Sequence, residues 1–200
     1  MQPTTNIVVE LGPADSGVSE CVTTQELYDH LSLNTGLSAV EDLLARDIKA
    51  AHKQFEFHTD GRILLPTAFA QHLTAWPKTA IQLHRGAVLE VTSVTYYDDN
   101  DEEQELADAV AELASIPALV YTPTFTWPTL STRRLRPITV EFVAGWESPE
   151  AVPADVKVGI LELAGRYYLQ REAYSEVKYN EVPMSFERFC AQYRTGLSGW

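Results

Sequence analysis

Five histidines, His30, His52, His58, His72 and His84, are the side chains of this 200-residue chain best suited to bind a transition metal or relay a proton. No two of them have the H-E-x-x-H spacing or another ligand pattern, so they read as packing or surface residues and no metal ligand is assigned. The run Asp98-Asp99-Asn100-Asp101-Glu102-Glu103 opens like a calcium loop. Such a loop needs glycine at its sixth position and glutamate at its twelfth, and here those positions hold Glu103 and Ala109. A solvated hairpin turn is the better reading. The sequence holds no G-x-S-x-G, no G-x-x-x-x-G-K-S/T and no G-x-G-x-x-G, which leaves nucleophile-elbow and phosphate-loop chemistry without support. No catalytic residue and no cofactor are expected, and the chain is read as not an enzyme.

Binding chemistry is constrained by charge. The formal net charge is -13, and affinity for duplex DNA comes largely from Lys and Arg neutralising phosphates and releasing counterions. A surface that grips nucleic acid is therefore excluded, although a wall past which DNA slides is not. Arg133-Arg134-Leu135-Arg136 is the one basic cluster, and a solvated loop or a subunit contact suits it better than DNA. Trp146, Tyr167 and Tyr168 could stack bases, but their helical spacing and aliphatic neighbours favour packing. Cys21 and Cys190 stand far apart without a C-x-x-C partner, so neither a disulfide framework nor a zinc knuckle is indicated. Met1 to Glu10 lacks a basic and then apolar leader pattern, and no stretch approaches the roughly 18 apolar residues of a membrane span. A soluble protein with no membrane partner is expected.

The elements that must position these residues follow from periodicity. Residues 1–22, with Pro3, Gly12, Pro13 and Gly17, read as an extended N-terminal arm that orders only against something else. Thr23-Thr24-Gln25-Glu26 is a capping box opening a helix that carries Leu27, Tyr28 and Leu31 and ends near Asn34 and Gly36. A second box, Ser38-Ala39-Val40-Glu41, opens a longer helix striped by Val40, Leu43, Leu44, Ile48, Ala51 and Phe55 and stopped by Asp60-Gly61. From Arg62 the period becomes two. Ile63 and Leu65, Ile81 and Leu83, and Ile138, Val140 and Phe142 mark strands with one buried face. Between Leu89 and Tyr96 the alternation slips phase, which predicts a bulge near Thr92 or Ser93. Pro117 to Pro137 reads only as an irregular or edge-strand excursion.

Helix returns at Val152-Pro153 with the stripe Val156, Ile160, Leu163 and Tyr167. Gly159 and Gly165 each cost about 1 kcal/mol relative to alanine inside it, which predicts a close approach by another backbone. A last helix after Pro183 places Phe186, Phe189, Cys190 and Tyr193 on one side. The fold class is α+β: two N-terminal and two C-terminal helices framing an inserted antiparallel β region at about 62–143. One domain, 23–194, follows the arm, and 195–200 is a flexible tail.

Pro137-Ile138-Thr139-Val140-Glu141-Phe142-Val143-Ala144-Gly145-Trp146, then Val152-Pro153, then a helix with Tyr167-Tyr168-Leu169-Gln170-Arg171-Glu172, resembles the head-tail connector (adaptor, or head completion) family of long-tailed phages and phage-derived particles. Ile81-Gln82-Leu83 and Val91-Thr92-Ser93-Val94-Thr95-Tyr96-Tyr97-Asp98 look like two further strands of that family. The family's glycine after the Tyr-x-Asp turn is missing, and Glu105 to Arg136 has no counterpart. The residues carrying the likeness are Val140, Phe142, Gly145, Trp146, Pro153, Tyr167, Tyr168, Arg171 and Glu172.

The resemblance implies a virion neck subunit, assembled in the host cytoplasm into a ring of typically twelve copies. The ring would dock beneath the portal protein, meet downstream stopper or tail proteins, and let DNA through without specific binding. Phe186, Phe189, Tyr193, Leu197 and Trp200 are then the expected portal contacts, and Gly159, Gly165 and Tyr168 the expected contacts between subunits. Competing readings are a small-ligand or calcium-binding β module and an enzyme of unknown type.

Overall fold

The computed structural model describes residues 6–14, 20–33, 38–169 and 184–196. Helix α1 (Thr24–His30) begins where the capping box places it. The Thr23 hydroxyl accepts from Glu26 N at 3.1 Å, and the Glu26 carboxylate accepts from Thr23 N at 2.6 Å. It stops at Leu31, earlier than periodicity indicated, because Ser32 turns to φ +53. Helix α2 (Ser38–His58) buries Leu44, Ile48, Ala51 and Phe55 at alternating steps of four and three. Asp60 and Gly61 end it with φ of +56 and +80, and Gly61 N donates to Glu56 O at 2.9 Å.

The stretch expected to form a strand at Ile63 and Leu65 is a crossing between layers instead. Arg62 makes a single bridge to Gly86, Ile63 enters the core of the sheets, and Leu64 and Leu65 enter the core of the helices. Side chains buried on both sides of an unpaired backbone mimic strand alternation in the sequence.

The first strand to pair after the helices is β2 (Thr67–Leu73), which no sequence signal marked, because Gln71 occupies a core position. Gln71 is fully buried and fully used: its amide donates to Gln82 O at 2.8 Å and its carbonyl accepts from His84 N at 2.9 Å. Those bonds pin the short strand β3 (Ile81–Gln82) over the larger sheet. Within the stretch read as an arm, Ile7–Pro13 forms β1, and the partner that orders it is β2 of its own chain. Two ion pairs at 3.6 Å, Lys53 to Glu10 and Lys49 to Glu20, also tie this segment to α2.

The larger sheet is antiparallel in the order β1-β2-β8-β4-β5, with β4 (Val88–Tyr97), β5 (Glu103–Glu105) and β8 (Ile138–Ala144). Strand β8 lies at its centre and buries Ile138, Val140, Phe142 and Ala144, the alternation read from sequence. Phe142 pairs in register with Phe69, their rings stacked at 5.8 Å. The predicted bulge is present between Val91 and Ser93, and a second lies between Val88 and Glu90. Glu105 to Arg136, the stretch without a counterpart in the resembled family, supplies β6 (Val110–Glu112) and β7 (Leu119–Tyr121), which with β3 form a small sheet in the order β3-β7-β6. Trp127 from the same segment stacks on Trp76 at 4.6 Å.

Helix α3 (Ala154–Leu169) and helix α4 (Met184–Cys190), followed by the tight turn Ala191–Tyr193, complete the chain. The architecture is α+β as expected, with β1 joining the sheet from ahead of α1. Two apolar cores result. One gathers Leu27, Ile48, Phe55, Ile160 and Leu163 between the helices, and the other gathers Phe69, Leu83, Val120, Val140 and Phe142 between the sheets.

Cys21 and His52 lock the segment ahead of α1 onto α2, with Sγ and Nε2 3.3 Å apart in the helical core. Burial pushes the Cys21 thiol up to about 12, and burial together with Lys53 pushes His52 down to about 4. Above pH 6.5 the imidazole is neutral in both folded and unfolded chains. As pH falls from 6.5 towards 4 the unfolded chain takes up the proton first, so stability is lost across that window, by about 3 kcal/mol in total. Urea melts of the wild type and of His52→Gln between pH 7.5 and 4 should show a difference in stability that shrinks as pH falls.

Candidate assembly surfaces

Gly145 is where β8 leaves the sheet for the helices. Its φ is +136 and its N donates to Ala87 O at 2.9 Å. A Cβ at this position would overlap the Leu65 carbonyl and lie 2.9 Å from Pro66 N, so only glycine lets the two backbones pass. Trp146 then sits at the seam of the two layers. The Arg62 guanidinium lies over its ring at 5.6 Å, and the Tyr193 ring meets it edge-on at 6.5 Å. Val152 is buried, Pro153 accepts from Lys157 N at 3.2 Å to start α3, and Tyr167 and Tyr168 pack against the helical core. Of the residues carrying the family likeness, Gly145 and Trp146 form the joint between the layers and Pro153 starts the helix that follows it. Arg171 and Glu172 lie outside the described residues.

The close approach expected at the α3 glycines is made by side chains of the same chain. A Cβ on Gly159 would stand 2.9 Å from the Phe189 ring, and one on Gly165 would stand 3.1 Å from Leu31. The space those glycines leave is thus filled from within. Of the expected portal contacts, Phe186 is buried, and Phe189 and Tyr193 pack on the helical core. The Tyr193 hydroxyl donates to the Asp155 carboxylate at 2.7 Å, and burial with that bond pushes it up to about 12.

The residues after Tyr193 cap the end of α2. Arg194 Nε donates to His58 O at 3.2 Å, Thr195 N to Thr59 O at 3.2 Å, and the Thr195 hydroxyl to Asp60 O at 2.7 Å. Leu197 and Trp200 lie outside the described residues.

The acidic run is a hairpin turn between β4 and β5. One Asp98 oxygen accepts from Asn100 N and Glu102 N, and Asp101 accepts from the Ser131 hydroxyl and from Arg134 at 2.8 Å. Arg134 also lies 3.5 Å over the Tyr97 ring. Hydrogen bonds from Arg134 and Ser131 hold the Asp101 carboxyl below its usual range. Among the described residues no group of three or more His, Cys, Asp or Glu is placed to hold a metal ion, and no helix is long and apolar enough to cross a membrane.

What remains on the surface is apolar side chains that neither core uses. Ile7, Val9 and Leu11 project from the edge strand β1, Val158 and Leu169 from α3, and Val110, Ile116, Phe125 and Leu135 from the β region. Sequence reading missed this last group. Val110 sits in a strand of only three residues, and Ile116, Phe125 and Leu135 lie in segments between strands, where no period marks a buried face.

No family model matches the chain, and no curated relative is detected. Solved structures do match it in fold. A chain from the neck of an empty GTA particle, computed with C6 symmetry, superposes with a TM-score of 0.75 at 22% identity, over 94% of this chain and 95% of that one. In fold, this chain is similar to gene transfer agent neck chains. A chain from the virion of a native gene transfer agent particle gives 0.74 at 22% identity, over 94% of this chain and 95% of that chain. Another from the native neck, computed with C12 symmetry, gives 0.71 at 21% identity over 94% of each.

Gly145→Ala should cost about 3 kcal/mol or abolish soluble expression, because positive-φ strain adds to a backbone overlap. Gly196→Ala is the control: φ is +71 but nothing lies within 4 Å of the added Cβ, so about 1 kcal/mol is expected. Urea denaturation of both variants measures the difference.

Proposed function

We propose that this protein is a structural subunit of the neck of a tailed phage or phage-derived particle, an adaptor that forms a ring beneath the portal and joins head to tail. The observation that carries the reading is a fold match covering 94% of the chain to chains from a particle neck, solved with sixfold and twelvefold symmetry. The resemblance of the segment around Gly145 and Trp146 to the adaptor family supports the same reading. A cyclic ring of identical subunits needs two different patches on each copy, meeting head to tail with a rotation that closes. Twelve copies is the number proposed.

In this role the charge of -13 is an asset. An acidic wall offers duplex DNA no array of cations on which to release counterions, so DNA passes without a grip that would stall it. The chain beyond Gly196, ending in Trp200, is proposed as the portal anchor. A buried tryptophan is worth several kcal/mol, about what ordering a short tail costs, so single tails bind weakly and a ring of them binds by avidity.

Negative-stain imaging of the protein mixed with its portal should show closed rings on the portal. Persistent monomers in the presence of portal would count against the reading. Deleting residues 197–200 should weaken docking to the portal, measured by co-sedimentation, and unchanged docking would sink the anchor role. Purified rings should flow through immobilised duplex at physiological salt, and retention there would refute the passive-wall role.

A further inference from the structure

The β region carries two unlike patches. From Gly86 to Thr132 the sequence holds nine carboxylates and no Lys or Arg; six of them, Asp98 to Glu105, belong to the hairpin that Arg134 ties down, and Glu112 stands in β6. Within that stretch the register pairs Val110 with Tyr121 and Glu112 with Leu119, while the intervening Val120 is fully buried. Val110, Glu112, Leu119 and Tyr121 therefore face away from the core. Phe125 extends this face, its ring stacked on Tyr121 at 5.5 Å and 55% exposed.

The exposure of Phe125 is held in place. Its φ is +51, its N donates to Thr122 O at 2.9 Å, and the buried Thr122 hydroxyl donates to Thr126 O at 3.1 Å. An aromatic residue in the left-handed region costs free energy that a hidden ring would not require. Strand β6 is also the edge of its sheet, with one backbone side unpaired by β7.

The second patch is the basic segment that follows. Arg134 is committed to Asp101 and Tyr97. Arg133 is exposed and makes no ion pair among the described residues, and Leu135 beside it is 74% exposed. One patch offers aromatic and aliphatic surface beside the exposed carboxylate of Glu112, which makes no ion pair among the described residues. The other offers an apolar side chain beside the exposed Arg133 guanidinium.

We propose that the Tyr121–Phe125 face of one copy receives the Arg133–Leu135 segment of the next copy, making the β region a head-to-tail contact of the ring. The inference rests on the ring reading above and names the contact. Charge favours this pairing, which sets Glu112 of one copy against Arg133 of the next. Because the patches differ, the contact is heterologous and repeats around a closed ring instead of ending at a dimer.

The test is cysteine cross-linking in the rings formed with portal. One full-length population carries Thr124→Cys, and a second, of different tag mass, carries Thr132→Cys. Both positions are exposed beside the patches. The native thiols of Cys21 and Cys190 are buried and compete poorly. Mixed rings under mild oxidation should give heterodimers in about tenfold excess over either homodimer, as expected for a charge-selected contact.

Adding Arg133→Glu to the second population should remove that excess, and adding Glu112→Arg to the first should restore it. Rings that form with heterodimers at the statistical level, or with an excess indifferent to both charge reversals, overturn this contact and leave the ring reading standing. If no rings form at all, the reading and the inference fall together.

Discussion

Gly145 sits where the outgoing end of the central strand passes against the backbone of Leu65 and Pro66, and the two layers of the protein meet at that crossing. Side chains cannot be accommodated there, so the passage is made by bare backbone in a conformation that other residues strongly disfavour. Everything on either side follows from it. Upstream, Phe142 and Val140 fill the core between the sheets. Downstream, Trp146 turns onto Arg62 and Tyr193, and Pro153 starts the helix that closes the helical core. The chain end returns to the same corner, where Arg194 and Thr195 satisfy the carbonyls that α2 leaves open.

This joint separates two kinds of aromatic surface. Phe186, Phe189 and Tyr193, expected to face a partner, pack on the helical core, where the Phe189 ring takes the space that Gly159 leaves. Phe125 and Tyr121 face outward because the small sheet buries Val120 on its other side. A glycine in a helix permits a close approach without saying by what. Here a neighbouring side chain in the same fold takes the space.

Electrostatics acts on a different scale. The excess of carboxylates sets a long-range potential that disfavours nucleic acid over much of the surface. Individual cations do local work: Lys49 and Lys53 hold the segment before α1, and Arg134 holds the hairpin turn.

The features legible in the sequence were those governed by near neighbours. The capping box at Thr23 and Glu26, the stripe of α2, the stop at Asp60-Gly61, the buried alternation of β8 and the bulge before Ser93 each depend on residues within a turn or a strand of one another. Charge and the absence of nucleotide or nucleophile motifs are equally local. The rest depended on long-range pairing. Gln71 hides β2 from any hydrophobic pattern because its partners, Gln82 and His84, are known only once β3 lies over it. Ile63 to Leu65 imitates a strand because its neighbours enter two separate cores, and a three-residue strand such as β6 carries no period to read. The sequence alone thus determined the helices, the fold class and the sign of the surface. The tertiary structure decided which face of each element is buried, because that choice is made by partners far away along the chain.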